Sequence, residues 1–465
     1  MTARAERGLS TQELMLGALR TPLGGLIARP WFDRLALRVL AGWFFPLSRL
    51  WAAAGAADGS VDRYFDEVPL APDAGLARRL EPRLARVARA RRAVRDSEAR
   101  WEEAFFGPTD AGPDRLAAIE RERLARNNSH NLLRRSFMSL GLADRISPIR
   151  WNVPKPDAVA EIYRPLADDL SLAFAAPDPM PEVAVSRPVA GDGCTDYWLR
   201  FPSPSSRMAD RVVARVHEPV GVADPPTLIF GHGICVEFDQ WRGLVDEVAA
   251  LVALGVRVVR PEAPWHGRRV PTGQYGGERF MATAPLGALD LFTAAVREWA
   301  VLLDWCRATT RGPVCIGGSS LGAMTAQLLA TKAHDWPDRL RPDAMLLITH
   351  CGHIHDAVTE GALARIWGIE QATVAHGWTD DLIARYLPLI DPTGTPVVAP
   401  ENIVTVLGSQ DDVTPFHSGK ELIEDWRIPQ ANTFISRNGH FSIPLAMMRN
   451  HAPIRRFRAV LDRLA

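Results

Sequence analysis

The feature that most constrains the fold is the pentapeptide Gly318-Ser319-Ser320-Leu321-Gly322, which lies between two apolar runs of different character. Residues 312–317 are typical of a short buried strand, whereas residues 323–330 are typical of a helix. A strand that turns directly into a helix leaves the middle serine strained and exposed, and glycines two residues either side avoid collisions there. The spacing therefore predicts Ser320 as a nucleophile, with an ordinary tight turn as the other interpretation.

A serine hydroxyl becomes a good nucleophile only when a base takes its proton and a third group orients that base. An acid candidate, Asp411, follows the strand-like run 404–407, and a base candidate, His440, follows the strand-like run 433–436. Ligands of open α/β sheets bind at the carboxyl ends of the strands, where all three side chains are predicted to lie. The order Ser, acid, His therefore predicts one catalytic triad.

Over about residues 190–465, the chain resembles the α/β-hydrolase superfamily, because five motifs of that family occur here in the family's order. The family pattern after the acid strand is matched by Gly408, Asp411 and Pro415, so the resemblance assigns the acid to Asp411 and leaves Asp412 as its neighbour. From the residues alone, either aspartate could instead cap a helix beginning near Pro415. The other four motifs are the serine pentapeptide, Gly439-His440, the His-Gly loop after residues 228–231, and the loop Pro264–Gly267. The run Glu262–Arg269 is also weakly similar to the abhydrolase domain-containing protein 18 group.

The resemblance implies a mainly parallel twisted sheet flanked by helices, with no metal or organic cofactor. It also implies that the backbone N–H groups of Ile234 and Leu321 form an oxyanion hole. The expected activity is hydrolysis of a carboxylic ester, with amide, thioester, lactone and carbon–carbon substrates as alternatives, because this fold serves many chemistries. A non-catalytic binding protein is the rival class, but such proteins usually lack a triad residue, and all three positions are filled here.

Several side chains near the predicted strand ends are candidates for the substrate pocket. The run 350–355 holds three histidines and a cysteine, which also invites a metal interpretation. We favour pocket lining, since this run follows a predicted strand where the fold places loops over the site. His232 and His266 are expected mainly to shape their loops. The tentative pocket residues are His232, Cys235, Trp265, His266, Ser319, His350 and His353.

The length of 465 residues predicts two parts rather than one compact domain. We expect a helical N-terminal cap and Pro-rich linker over residues 1–185, and a catalytic domain over residues 186–465. The latter should begin with two antiparallel strands, at 197–201 and 212–216, and carry a helical lid at 353–399. The tryptophan content of the lid and cap favours an apolar acyl or aromatic substrate.

The most apolar stretch of the N-terminal region is residues 31–57, which Arg34, Arg38 and Arg49 interrupt and Pro46 is expected to break. It is too polar for a transmembrane helix, which needs about 20 mostly apolar residues. Two interpretations remain: a cap packed on the catalytic domain, or an amphipathic segment at a membrane interface with its arginines outward.

A second basic segment follows at residues 78–100, which contain nine arginines and three acids. Pro82 is expected to open a helix there. A solvated arginine face is the simpler interpretation, and contact with anionic lipid is the other.

Overall composition excludes some functions. Lysine plus arginine and aspartate plus glutamate each number 54, so nothing favours an electrostatic nucleic-acid binder. The five cysteines are scattered, and no signal-type apolar segment follows Met1–Ser10. We therefore expect a cytoplasmic protein, with peripheral contact at the inner membrane surface as the second interpretation.

Overall fold

A computed structural model describes residues 29–108, 111–235 and 247–465. Within these residues, ten strands form one sheet in the order β1-β3-β4-β6-β5-β7-β8-β9-β10, with β2 paired to β3. The strands are β1 Ala184–Val185, β2 Val189–Ala190, β3 Cys194–Pro202, β4 Arg211–Pro219, β5 Thr227–Gly231, β6 Arg257–Pro261, β7 Val314–Ser319, β8 Met345–Ile348, β9 Ile403–Gly408 and β10 Thr433–Ser436.

The sheet is antiparallel at one side and parallel at the other. Strand β3 pairs antiparallel with β4, and β4 pairs antiparallel with β6. From β6 to β10 every pairing is parallel. This confirms the predicted α/β sheet with two leading antiparallel strands.

Alternate residues of the central strands feed two separate cores, because successive strand side chains point to opposite faces. Ile229 and Ile316 pack with the helices Leu286–Thr309 and Leu321–Lys332. Leu228 and Phe230 pack on the other face, which the helices Glu247–Ala253 and Ala452–Leu464 cover. The part of the chain built on the sheet, called the catalytic part after the sequence expectation, therefore has three layers: helix, sheet and helix.

The remaining helices differ in two places from the prediction. Pro82 does not open a helix; it lies inside Ala74–Phe106, which begins earlier because the Asp73 carboxylate accepts a hydrogen bond from Leu76 N at 2.7 Å. The second difference is at Pro46, which lies inside the helix Phe45–Ala57. The other helices are Pro30–Val39, Val61–Glu67, Pro113–Leu132, Pro156–Asp168, Leu170–Ala173, Glu278–Ala282, Ile354–Thr359, Ala362–Trp367, Ile369–Ala375, Asp380–Ala384, Phe416–Asp425 and Ser442–Met447.

Pro46 does not break the apolar N-terminal stretch as the sequence suggested. A five-residue π-helical turn, Leu40–Phe44, joins Pro30–Val39 to Phe45–Ala57, and Pro46 is the second residue of the latter. Proline lacks an N–H, and the first turn of a helix leaves its N–H groups without intrahelical partners anyway. The wide turn therefore lets the chain continue as a helix past the proline.

The N-terminal helices have a core of their own, which includes Leu50, Tyr64 and Leu84. They are joined to the catalytic part by a buried ion pair, in which Arg49 Nη1 lies 3.1 Å from Glu278 Oε2. An apolar junction lies alongside the ion pair, since Phe45 packs on Trp367 with ring centroids 5.1 Å apart.

The Pro-rich segment after residue 148 also packs on the catalytic part. Its helix Pro156–Asp168 buries Val159 and Tyr163, and the Tyr163 hydroxyl donates to Asp290 at 2.6 Å. Among the helices at described positions, none combines the length and the hydropathy that crossing a bilayer requires.

Candidate active site

Ser320 lies on a strained turn between strand β7 and the helix Leu321–Lys332, with φ 55° and ψ −118°. Few residues other than glycine adopt such a conformation, and a well-packed surrounding structure is needed to hold it. A Cβ added to Gly322 would lie 2.2 Å from the backbone of Gly231, and one added to Gly318 would lie 2.6 Å from Gly231 O. The pentapeptide needs both glycines because strand β5 passes directly against the turn.

Asp411 and His440 are brought together at the same edge of the sheet. Asp411 Oδ2 lies 2.9 Å from His440 Nδ1, and both side chains are nearly buried. Asp411 Oδ1 accepts hydrogen bonds from the N–H groups of Val413 and Thr414, both at 2.9 Å. The neighbouring aspartate, Asp412, is exposed. Asp411 is therefore the aspartate that can orient the imidazole.

Thr414 contacts both members of this pair. Its hydroxyl donates to Asp411 Oδ2 at 2.9 Å and lies 3.2 Å from His440 Nδ1. Thr414 and Ser320 line the same small cavity. Within the described residues, the Ser320 hydroxyl makes no hydrogen bond to His440; such bonds often tighten only in the substrate complex. No sequence pattern pointed to Thr414, because its contact with Asp411 and His440 arises from a turn three residues past Asp411.

Two backbone N–H groups beside Ser320 have no acceptor among the described residues. They belong to Ile234 and Leu321, and both residues line the cavity that Ser320 faces. The next N–H group along each segment is already used: Cys235 N donates to His266 Nε2 at 3.1 Å, and Gly322 N donates to His232 O at 3.0 Å. Among the described residues, the N–H groups of Ile234 and Leu321 therefore remain available as donors on the wall of this cavity.

His232 and His266 hold the loops that carry these donors. His232 Nε2 accepts from Ala263 N at 3.2 Å, and His266 Nε2 accepts from Cys235 N, so each ring keeps its proton on Nδ1. Burial lowers the pKa of His266 to about 4, and burial beside His266 lowers the pKa of His232 well below its usual value. Both imidazoles are therefore neutral loop supports at neutral pH.

Side chains at both ends of the run Glu262–Arg269 also hold the loop that carries His266. Glu262 Oε2 accepts from Arg268 N at 2.7 Å, and Arg269 forms paired hydrogen bonds to the carboxylates of Asp210 and Glu298. Both carboxylates come from distant parts of the chain, so the sequence did not reveal them, whereas the Glu262 carbonyl, which accepts from Arg269 Nη1 at 3.0 Å, lies in the same motif. The motif that resembles the abhydrolase domain-containing protein 18 group thus has a structural role, which is to fix the loop carrying His266.

The cavity in front of Ser320 is small and apolar, with a volume of about 60 Å³. Its wall includes residues from three helices of the predicted lid, among them Ile354 and Trp367. The lining residues are Ile234, Phe280, Ser320, Leu321, Met324, Ile354, Ala357, Val358, Leu363, Ala364, Trp367, Ile369, Val413 and Thr414.

The tentative pocket residues do not line this cavity, and their contact with substrate stays a prediction. Ser319 Oγ lies 3.2 Å from Thr349 Oγ1, behind the elbow. Cys235 and Trp265 are buried in the loops around His266, and both have positive φ angles, of 60° and 62°.

The histidines of residues 350–355 point in different directions. His350 is fully buried between Gln327 and Thr405, at 2.7 Å from each, and burial lowers its pKa to about 4. His353 is half exposed and lies 3.4 Å from Asp391, whose hydrogen bond raises the pKa of the imidazole. The two rings are committed to different partners, which argues against a shared metal.

Within the part of the chain that is described, one group of side chains has donor atoms close enough to hold a metal ion. Cys194, Asp196 and His217 lie on the β3–β4 pair, with one donor atom of each within 4.8 Å of the others. Asp196 is already paired with the guanidinium of Arg215 and with His217 Nδ1. Since a cation would have to displace the arginine, this group is an ion-pair cluster.

The sheet order, the serine elbow and the clustered acid and base are those of the α/β-hydrolase fold. Residues 237–346 match the sequence model of the family described as "Alpha/beta hydrolase domain containing 18". No curated protein matches the chain.

Solved structures with a similar fold include several esterases. An acetyl xylan esterase from Paenibacillus sp. R4 is 14% identical over 67% of this chain and 96% of its own, with a TM-score of 0.44. An S-formylglutathione hydrolase from Agrobacterium tumefaciens is 15% identical over 60% of this chain and 99% of its own, with a TM-score of 0.40. Similarity this low carries no information about the substrate.

Proposed function

We propose that the protein is a serine hydrolase that cleaves a carboxylic ester with a short acyl group. The observation that carries the proposal is the hydrogen-bonded pair of Asp411 and His440 at the sheet edge where Ser320 occupies its strained turn. The strain is meaningful because a turn with φ 55° costs free energy that an ordinary serine has no reason to incur.

In the proposed reaction, Ser320 Oγ attacks the carbonyl carbon of the ester while His440 Nε2 takes its proton. Asp411 keeps the imidazole in the required tautomer and stabilises its cation. His440 then donates the proton to the leaving alcohol, which leaves an acyl group on Ser320. A water molecule, activated by the same imidazole, attacks the acyl group and releases the acid.

The negative charge that develops on the carbonyl oxygen would be bound by the N–H groups of Ile234 and Leu321. One such donor typically contributes about 100–1000-fold to the rate. The hydrogen bond from Cys235 N to His266 supports this assignment, because it fixes the backbone next to Ile234 before the substrate arrives.

The size of the cavity supports a short acyl group. Its volume of about 60 Å³ is well below the roughly 150 Å³ of a cavity that holds benzene. Its wall is almost entirely aliphatic and aromatic, which suits an alkyl chain of a few carbons. Ile354 and Trp367 line the cavity together with the serine, and we propose that they set the upper limit on acyl length.

A series of p-nitrophenyl esters from acetate to dodecanoate tests the proposal. We expect the highest kcat/KM for the two- to four-carbon acyl groups, and Ile354→Ala should move the optimum to longer chains. Ser320→Ala should be inactive, while Ser319→Ala, which changes the adjacent hydroxyl, should keep most of the activity. Full activity in Ser320→Ala would overturn the proposal, and a non-catalytic binding protein would hydrolyse none of the esters.

A further inference from the structure

The helix Pro30–Val39 and the π-helical turn after it present an apolar stripe to solvent. Trp31, Leu35, Val39 and Trp43 are 44%, 48%, 48% and 57% exposed. Residues four apart lie on one face of a helix, so these side chains form a continuous line. At about 1.5 Å per residue, the line is ~18 Å long.

Positive charge accompanies the stripe. Arg29, Arg34 and Arg38 are exposed on the same segment. The one acid among residues 29–44 is Asp33, which is buried on the opposite side of the helix. An exposed apolar line with a tryptophan at each end, flanked by arginines, is the pattern of a helix that lies in a lipid–water interface.

The buried side of the same helix is fastened to the loop that carries His440. Asp33 Oδ1 accepts hydrogen bonds from Phe441 N at 2.6 Å and Ser442 N at 3.1 Å, and Asp33 Oδ2 accepts from the Ser442 hydroxyl at 2.6 Å. A Cβ at Gly439 would lie 2.5 Å from the Asp33 carboxyl carbon, so the approach is close. The stripe therefore has a fixed position, directly outside the loop of the proposed catalytic base.

We propose that this stripe is a docking surface for an anionic lipid membrane. Docking would bring the edge of the sheet that holds Ser320 and His440 close to the membrane surface. Trp31, Leu35, Val39 and Trp43 would enter the interfacial region, and the arginines would contact lipid phosphates.

A second copy of the chain is a less suitable occupant of this face. Two copies packed stripe against stripe would bring Arg29, Arg34 and Arg38 of each helix opposite the same arginines. Like charges placed together in this way oppose association. Anionic phosphates complement the same charges.

Co-sedimentation of the full-length protein with vesicles tests the proposal without relying on catalysis. We use vesicles of phosphatidylcholine alone and of phosphatidylcholine with phosphatidylglycerol in equal parts. The protein should bind the anionic vesicles, and Trp31→Ser combined with Trp43→Ser should weaken that binding by about tenfold or more. Arg34→Gln combined with Arg38→Gln should weaken binding severalfold and reduce its sensitivity to salt.

Matched controls are the exposed apolar residues Leu172 and Val374, which are 57% and 62% exposed and lie far from the stripe in sequence. Leu172→Ser and Val374→Ser should bind as the wild type does. The proposal is overturned if the wild type binds neither vesicle, if it binds both equally, or if the tryptophan variant binds normally. A change in the molecular mass of the tryptophan variant by light scattering, with vesicle binding unaltered, would assign the stripe to self-association instead.

Discussion

The Asp33 carboxylate lies 2.6 Å from the Ser442 hydroxyl, although the two residues are 409 positions apart in the chain. Through this contact, the helix Pro30–Val39 holds the backbone next to His440. The N-terminal helix therefore contacts the backbone directly after His440, the proposed base.

Replacement of this carboxylate should slow turnover. The partners of the Asp33 carboxylate all donate to it, so the amide group of Asp33→Asn would turn a donor towards donors and lose at least one hydrogen bond to Phe441 or Ser442. We expect kcat on a short ester to fall 10- to 100-fold, because a displaced imidazole should raise the activation free energy by roughly 2 kcal/mol. KM should change little. Steady-state kinetics beside thermal melting checks this.

The exposed Asp66 provides the control for that experiment, because Asp66→Asn should leave kcat as it is. If Asp33→Asn lowers the melting temperature but leaves kcat unchanged, the carboxylate has a purely structural role.

Thr414 should act through Asp411. Thr414→Val keeps the shape of the side chain and removes the hydroxyl that donates to Asp411 Oδ2. The loss of one hydrogen bond to a charged group, about 1.5–3 kcal/mol, predicts a fall of roughly 10- to 100-fold in kcat/KM. Thr414→Ser restores the hydroxyl and should recover most of the activity. Equal activity in the valine and serine variants would contradict this role.

Stability should fall as the pH drops from about 6.5 to 4. Burial holds the pKa of His266 and His350 at about 4, below the usual 6.5, so the unfolded chain binds protons in this range that the folded chain does not. The contribution of these groups is complete above pH 6.5 and is lost towards pH 4, on the order of 2–3 kcal/mol for each imidazole.

Urea denaturation at pH 7 and pH 5 measures this slope. In His350→Gln, the amide can still contact Thr405 but does not titrate, so the difference in unfolding free energy between the two pH values should shrink. An unchanged difference would show that another group causes the acid sensitivity.

Sequence patterns correctly predicted the features that are formed by residues close together in the chain. The strand, elbow and helix around Ser320 are contiguous, and the spacing of Gly408, Asp411 and Pro415 selected the aspartate that contacts His440. The glycines of the pentapeptide had their expected cause, which is close passage of the backbone of Gly231.

What the sequence did not reveal depends on packing between distant segments. The ties from Asp33 to Ser442 and from Arg269 to Glu298 join residues whose separation hides them from any local pattern. Pro82 was misjudged because packing overrides local propensity, which allows a long helix to retain an interior proline. His350 was expected at the pocket, but its ring turns into the core, a choice that depends on Gln327 and Thr405.

The roles proposed for Ser320 as the nucleophile and His440 as its base can be tested together. Labelling with a fluorophosphonate probe, followed by peptide mass mapping, tests them most directly. We expect one labelled residue, Ser320, with no label in Ser320→Ala and labelling slowed by about 1000-fold or more in His440→Gln. A label on another residue, or undiminished labelling of Ser320 in His440→Gln, would contradict them.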